Sequence, residues 1–479
     1  MADIEWLVEQ IEDSPEGPQI GAFFDFDGTV IAGYSALAFF KYRLKRREIS
    51  PQEVIRSIAE SINVERRGKD VDELMRVGVR GQAGRSAAEV DQWSRTVFAK
   101  EVAEMIYPGA RSLIEAHLRK RHTVVIASSA TRPQIQPTAD DLGVDYIVCT
   151  EMSVDDEGVY TGELGSDVRW GPGKAAAVQA FAERTDVDLA ASFGYSNGSE
   201  DVPFLSLVGK PCALNPDEEL AVVAQGRGWT TAVLKRPPET TPIDLVRSAA
   251  AGSVFMGTFG AAALLGLVNR SRTLAANLTS TVGAELALAA AGVRVNVVGE
   301  ENVWAVRPAV FTFNHQSQLD ALILSAVLRK DFSAVAKKSL QSDPFFGPVG
   351  YLTEVVYIDR ADSAKARTGL EGAVEALQEG KSIAIAPEGT RSPTPRLLPF
   401  KKGPFHLCMQ AGVPMVPIVM RNCGEIMAAH SMVLHAGTVD VAVLPPVPTA
   451  DWTRENLNEQ VSRVRQMYLD TLADWPTEG

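Results

Sequence analysis

Two carboxylates one residue apart, in Asp25-Phe26-Asp27-Gly28-Thr29, follow the apolar run Ile20–Phe24. Just past a strand end, a turn can bring both to one phosphate. One carboxylate then attacks phosphorus as a nucleophile and the other protonates the leaving oxygen. Gly28 lets the backbone bend closely around such a substrate. Further along, Ser128 can hydrogen-bond a phosphoryl oxygen, Lys174 can neutralise it, and Asp201 can help hold a divalent cation. The plainer reading of the first motif is an Asx turn that closes a strand.

A second set of groups lies in Asn314-His315-Gln-Ser-Gln-Leu-Asp320. A neutral imidazole can take the proton of a hydroxyl as that hydroxyl attacks a thioester. A carboxylate on the other ring nitrogen fixes the tautomer and stabilises the imidazolium. On one continuous helix, five residues would leave the two side chains about 140° apart. The pair works if His315 lies in the turn before a helix and Asp320 in the helix's first turn. Ser317 to Asp320 also reads as a plain helix N-cap with an acid three residues on.

The elements that must carry these groups are legible as apolar runs. Strands are expected at Ile20–Phe24, Thr123–Ala127, Val144–Val148 and Leu189–Phe193, with a helix at 174–183. Residues 33–105 read as a charged helical insertion. Alternation of strand and helix points to a parallel α/β sheet. Arg236-Pro-Pro238 reads as a linker. Further strands are expected at Ala309–Phe313, Val355–Ile358, Ser382–Ala386, Met415–Val419 and Val439–Leu444, and a helical tail from about 452 to 473. His117, His122, His406 and Cys408 read as packing, and the partly basic 41–47 stretch as a solvated helix face.

The order of the first set, with Lys174 in Gly171-Pro-Gly-Lys174 and Asp201 in Asn197-Gly-Ser-Glu-Asp201, resembles the haloacid-dehalogenase-type phosphatases, particularly the branch containing phosphoserine phosphatase. The resemblance covers roughly residues 18–235. It implies a Rossmann-like fold with a helical cap at about 33–105, Mg2+, an aspartyl-phosphate on Asp25 and acid/base work by Asp27. It also implies phosphate contacts from Ser128 and Lys174, and a metal group of Asp25, Asp27, Asn197 and Asp201. Related sequences carry Asp where Asn197 stands, and an amide adds no charge to a cation site.

In the second half, His-x4-Asp is followed by Tyr357-Ile-Asp-Arg360, Pro387-Glu-Gly-Thr-Arg391-Ser392 and Val413-Pro-Met-Val-Pro417. This order resembles the glycerolipid acyltransferases, which include 1-acylglycerol-3-phosphate acyltransferase, over roughly residues 295–450. The resemblance implies direct acyl transfer from acyl-CoA or acyl carrier protein to lysophosphatidate. His315 would be the general base and Asp320 its orienter. Arg360, Glu388, Gly389, Thr390 and Arg391 would shape the glycerol-phosphate site, with Lys337 and Lys401 as further basic candidates.

Composition sets outer limits. The chain has 479 residues, 46% hydrophobic and 22% charged, which is a globular balance. The net charge of -13 argues against general nucleic-acid binding. Residues 1–236 hold 26 Lys+Arg against 37 Asp+Glu, whereas residues 237–450 hold 18 against 17. The second half therefore repels an anionic surface less. Four widely spaced cysteines form no CxxC pair, and the N-terminus lacks an apolar signal region. Ser248–Asn269 is uncharged, and Leu274–Gly292 is interrupted only by Glu285. A crossing pair would put Arg270 and Arg272 outside, against the positive-inside tendency. The pair is therefore expected to lie on or dip into one leaflet, at the cytoplasmic face of the inner membrane; a buried joint between the halves is the alternative.

The expected whole is an α/β protein of four stretches: 1–236, a linker with apolar helices at 237–294, 295–450, and a tail at 451–479. Three functional readings follow. The first is a bifunctional phospholipid-biosynthesis enzyme. The second is an acyltransferase with a weak or scaffolding phosphatase-like half. The third is a phosphatase with a lipid-binding module.

Overall fold

The computed structural model describes residues 2–46, 71–359 and 370–476. It divides into two compact units, Met1–Pro237 and Pro238–Gly479. Both are α/β.

The first unit is built on six parallel strands. These are β1 (Gly21–Phe24), β2 (Thr123–Thr131), β3 (Tyr146–Thr150), β6 (Phe193–Ser196), β7 (Lys210–Leu214) and β8 (Thr230–Ala232), in the order β3-β2-β1-β6-β7-β8. All four residues of β1 are buried, as both faces of a parallel sheet require. Successive side chains alternate between the faces. Phe24 packs with Ile126 and Tyr195 on one side, and Phe23 with Val125 and Phe181 on the other. β1 lies between β2 and β6, where the order of the strands reverses. In open α/β sheets the crevice at such a point, beyond the strand ends, is the usual ligand position.

Within the expected 33–105 insertion the described helices are Ser35–Lys45, Val71–Arg80 and Ala87–Val97, followed by short irregular turns to Met105. Residues 47–70 lie outside the described residues. A small antiparallel hairpin, β4 (Met152–Val154) with β5 (Tyr160–Leu164), reaches back to this region through Gly84 and Ser86. The strand expected at Leu189–Phe193 begins later: Leu189–Ala191 is a single 3-10 turn capped by Asp188, and β6 starts at Phe193.

The second unit holds a seven-stranded sheet in the order β12-β11-β13-β10-β14-β15-β9. Its strands are β9 (Val293–Val298), β10 (Val310–Phe313), β11 (Phe332–Lys337), β12 (Val356–Ile358), β13 (Ser382–Ile385), β14 (Met415–Arg421) and β15 (Gly437–Val443). β15 runs antiparallel to β14, while the other pairs are parallel. The helix Leu457–Ala473 is part of this body and not an appended tail: Leu457, Val464 and Tyr468 are buried in the core that also holds Val310, Ile383 and Met415.

The apolar segments ahead of β9 form two helical stretches, Pro242–Val268 and Arg272–Ala291, each long and apolar enough to cross a membrane. The first is closed at its start by a capping box between Thr241 and Asp244. The two stretches pack through small residues. Ala262 and Ala275 are buried, and a side-chain carbon at Gly266 would come within 2.6 Å of the Ala275 Cβ. Much of the first stretch stays uncovered, with Leu264, Leu265, Leu267 and Val268 exposed.

Candidate functional sites

In the first unit, the turn after β1 puts Asp25 at the centre of a buried polar cluster. The Asp25 amide donates to the Tyr195 carbonyl (2.9 Å), which ties the turn to β6. Lys174, in the first turn of the helix Pro172–Thr185, donates to Asp25 Oδ1 (2.7 Å) and to Asp201 Oδ2 (2.6 Å). Ser196 donates to the same Asp201 oxygen (2.6 Å). Thr29 Oγ1 lies 3.0 Å from Asn197 Oδ1 and 3.3 Å from Asp25 Oδ2. Gly28 has φ +86, and a Cβ there would meet the Asn197 amide at 2.4 Å, so this turn requires glycine. Burial pushes the Asp25 carboxyl up against the pull of Lys174. Although burial alone would lower it, Asp201 and Asp25 raise the Lys174 ammonium above its ordinary value, so it stays charged.

Asp27 stands apart from this cluster. Its two oxygens accept from the Ser35 amide (2.6 Å) and the Ser35 hydroxyl (3.2 Å), at the start of the first insertion helix. Burial pushes it up to about 6 despite those bonds. Asp27, expected in the metal group, here has each carboxylate oxygen engaged by Ser35 and keeps one further acceptor site on each. Ser128 lies within β2, where its oxygen accepts from the Ala130 amide (3.1 Å). Among the described residues, no three His, Cys, Asp or Glu side chains converge as a metal site. A smaller donor set does suit a hard cation. Asp201 Oδ1 is buried with no hydrogen-bond partner, Lys174 links Asp201 to Asp25, and Thr29 lies between Asp25 and the Asn197 carbonyl oxygen.

In the second unit, His315 lies between β10 and the helix Asp320–Leu328. Its Nδ1 is 2.7 Å from Asp320 Oδ2, and the same oxygen accepts from the amides of Gln316 (2.8 Å) and Ser317 (3.0 Å). A carboxylate that already accepts two amides sets Nδ1 as the protonated nitrogen and leaves Nε2 with its lone pair outward. The N-cap position of this helix is Leu319 and not the expected Ser317, although the Asp320 carboxylate holds both the imidazole and the Ser317 amide.

The loop after β13 grips the backbone of His315 from both sides. The His315 amide donates to Glu388 Oε1 (2.6 Å), and the Ser392 amide donates to the His315 carbonyl (2.7 Å). Glu388 Oε2 accepts from the Leu398 amide (2.8 Å). Glu388 is thus buried and fully occupied, and burial pushes it up to about 7. Glu388, expected to shape the glycerol-phosphate site, here supports the His315 backbone from behind. Gly389 turns with φ +72 beneath the Lys401 side chain. Thr390 is exposed. Arg391 Nη1 is buried without a partner, and burial lowers the guanidinium pKa even with Asp320 nearby. Lys337 and Lys401 are exposed, and Arg360 lies outside the described residues.

Two family models match the chain: haloacid dehalogenase-like hydrolase over residues 22–206, and acyltransferase over residues 294–421. The 1-acyl-sn-glycerol-3-phosphate acyltransferase of Salmonella typhimurium is 33% identical over 171 residues, 36% of this chain and 69% of that protein. The chain belongs to the 1-acyl-sn-glycerol-3-phosphate acyltransferase family, and its first unit is similar to the haloacid dehalogenase-like hydrolases. The inhibition of morphological differentiation protein of Streptomyces azureus is 34% identical over 223 residues, 46% of this chain and 80% of that protein. The 1-acyl-sn-glycerol-3-phosphate acyltransferase of Saccharomyces cerevisiae is 37% identical over 186 residues, 38% of this chain; the chain spans 61% of that protein's length.

Within the acyltransferase unit several supporting residues had no signal in a short motif. Asn314 pairs with both the carbonyl and the amide of Met420 (2.8 Å each), which locks the end of β10 to β14. Thr312 accepts from the buried Tyr468 hydroxyl (3.0 Å). In the hydrolase unit, His117 and His122 form a buried neutral chain. His122 Nε2 faces the Pro15 carbonyl (2.9 Å), the two Nδ1 atoms are 2.8 Å apart, and His117 Nε2 faces the Tyr195 hydroxyl (2.9 Å). Since the Pro15 carbonyl can only accept, His122 carries its proton on Nε2, His117 on Nδ1, and Tyr195 donates. All four cysteines are free and buried.

Proposed function

We propose that the acyltransferase unit moves a fatty acyl group from acyl-CoA, or acyl carrier protein, to 1-acylglycerol-3-phosphate. The observation that carries the reading is the His315–Asp320 pair (2.7 Å) with Nε2 free, beside an Arg391 guanidinium whose buried Nη1 has no partner. His315 Nε2 takes the acceptor hydroxyl proton as that oxygen attacks the thioester carbonyl. The tetrahedral intermediate collapses, the carbon–sulfur bond breaks, and the imidazolium returns its proton to the thiolate. Arg391 suits the substrate phosphate through its planar fork of donors, with Thr390 and Arg360 beside it in sequence or motif order. The uncovered apolar helices support a membrane-surface location, the pair lying in the cytoplasmic leaflet.

The hydrolase unit is proposed to cleave a phosphomonoester. Asp25 attacks phosphorus, the ester oxygen leaves with a proton from Asp27, and Asp27 then deprotonates the water that releases phosphate from Asp25. Lys174 and Ser128 orient and neutralise the phosphoryl oxygens. Asp25, Asp201 and Asn197 would hold Mg2+, which when bound adds positive charge against those oxygens. A second reading, a catalytically weak scaffold, is favoured by Asn197 and by the engagement of Lys174 with both carboxylates.

The test uses lipid-supported full-length protein with acyl-CoA, 1-acylglycerol-3-phosphate and Mg2+, following CoA and phosphate together. Loss of the base in His315→Ala should lower CoA release by about 10²–10⁴-fold. Phosphate release that vanishes in Asp25→Asn establishes the hydrolase; release at background in both proteins establishes the scaffold for this substrate. Unchanged CoA release in His315→Ala would sink the base assignment.

A further inference from the structure

The base of the acyltransferase unit is held by an element 150 residues away in sequence (465 minus 315). Arg465 sits half-buried on the helix Leu457–Ala473. Its guanidinium donates to the Leu397 carbonyl (3.0 Å) and approaches the Leu398 carbonyl (3.4 Å). The Leu398 amide donates to Glu388, and Glu388 accepts from the His315 amide. Two flanking contacts fix the same helix. Tyr468 hydrogen-bonds Thr312 on β10, three residues before His315, and stacks edge-on against Phe400 (5.1 Å between ring centres).

We propose that Arg465 is a positioning residue for acyl transfer: it clamps the 397–398 carbonyls so that Leu398 and Glu388 hold the His315 backbone in register with Asp320.

The physical case rests on geometry and on what each group can do. Glu388 can serve His315 only while its second oxygen is anchored by Leu398. An arginine spans two neighbouring carbonyls with separate N–H groups of one rigid plane, which a single-point donor cannot do. Without the clamp, residues 397–398 are free to shift, Glu388 can rotate, and His315 loses its amide partner while keeping Asp320. The predicted defect is therefore one of placement and not of binding. Small misplacements of a catalytic group cost up to about a hundredfold in rate. The proposal rests on the acyltransfer reading for its kinetic consequence, but not for its structural one.

The experiment compares full-length wild type, Arg465→Met and Arg465→Lys. Amide hydrogen exchange over residues 312–319 gives a readout that needs no activity. CoA release gives kcat and KM for donor and acceptor. The expected result for Arg465→Met is several-fold faster exchange at 312–319 and a kcat lowered about tenfold. Both KM values stay within about twofold, because the substrate-facing groups are untouched. Arg465→Lys, which restores one donor, should recover part of both. Folded Arg465→Met with native exchange at 312–319 overturns the proposal, whatever its rate. So does a loss shared equally by kcat, KM and thermal midpoint that Arg465→Lys does not relieve. If wild type releases no CoA, the acyltransfer reading fails, while the exchange result still decides the positioning.

Discussion

At the scale of single residues, the two sites differ in how their carboxylates are compensated. Asp320 is fed by two amides and an imidazole, whereas Glu388 meets only two amides in a buried place and is pushed up to about 7 from an ordinary 4.5. The sign of the consequence is set by that direction. A carboxyl that holds its proton more tightly folded than unfolded contributes stability that is fully present below about 4.5 and is lost as pH rises to about 7. Thermal midpoints of wild type should therefore carry a decline across that window. In Glu388→Gln this component should disappear, because nothing ionises. The variant should also be less stable at pH 5 by about 1–3 kcal/mol, since the amide nitrogen then confronts a backbone N–H. A decline of equal size in both proteins would assign the pH dependence elsewhere. The same residue shows what a short motif conceals. Glu388 and Arg391 were both legible from Pro-Glu-Gly-Thr-Arg, yet Glu388 is taken up by two backbone amides while Arg391 keeps a buried donor without a partner, and sequence spacing does not distinguish them.

At the scale of elements, legibility followed burial. β1, β10 and β13 are short, wholly buried runs, apolar in the sequence but for Thr312 in β10 and Ser382 at the start of β13. β9 reads Val-Arg-Val-Asn-Val-Val at an edge of the sheet with mixed exposure, and nothing in an apolar-run reading separates it from the preceding helix. The β4–β5 hairpin escaped for a related reason: its strands are three and five residues long and none of their residues is fully buried. The His315–Asp320 pair was readable because its members are five residues apart, whereas the proposed clamp from Arg465 joins distant segments and leaves no local trace. The apolar helical pair offers a test of its own. Replacing Gly266 by Val sets a side chain where the Ala275 Cβ and the Ser271 carbonyl already stand at 2.6 and 3.0 Å from the new Cβ. Overpacking of this kind costs about 1–3 kcal/mol and should splay the pair. Binding to anionic phospholipid vesicles, followed by flotation, should weaken, while CoA release from a detergent-dispersed acceptor should fall far less. Equal loss in both assays would place the helices in the fold of the site and not at the lipid surface.

At the scale of the whole molecule, each unit has its own sheet and its own pair of buried clusters, divided between the sheet faces. Chemistry in one unit should therefore survive damage to the other. Asp25→Asn should leave CoA release within about twofold of wild type, and His315→Ala should do the same for any phosphate release. A larger cross-effect would reveal communication between the units. The position of Arg465 carries a different consequence, one of timing. The chain is made from the N-terminus, and 150 residues separate His315 from Arg465. At about 5–20 residues per second, His315 is added to the chain roughly 8–30 seconds before Arg465. During that interval the exposed Leu264, Leu267 and Val268 have already been made, so on the proposed reading the apolar helices can meet a bilayer before the proposed Arg465 contact exists.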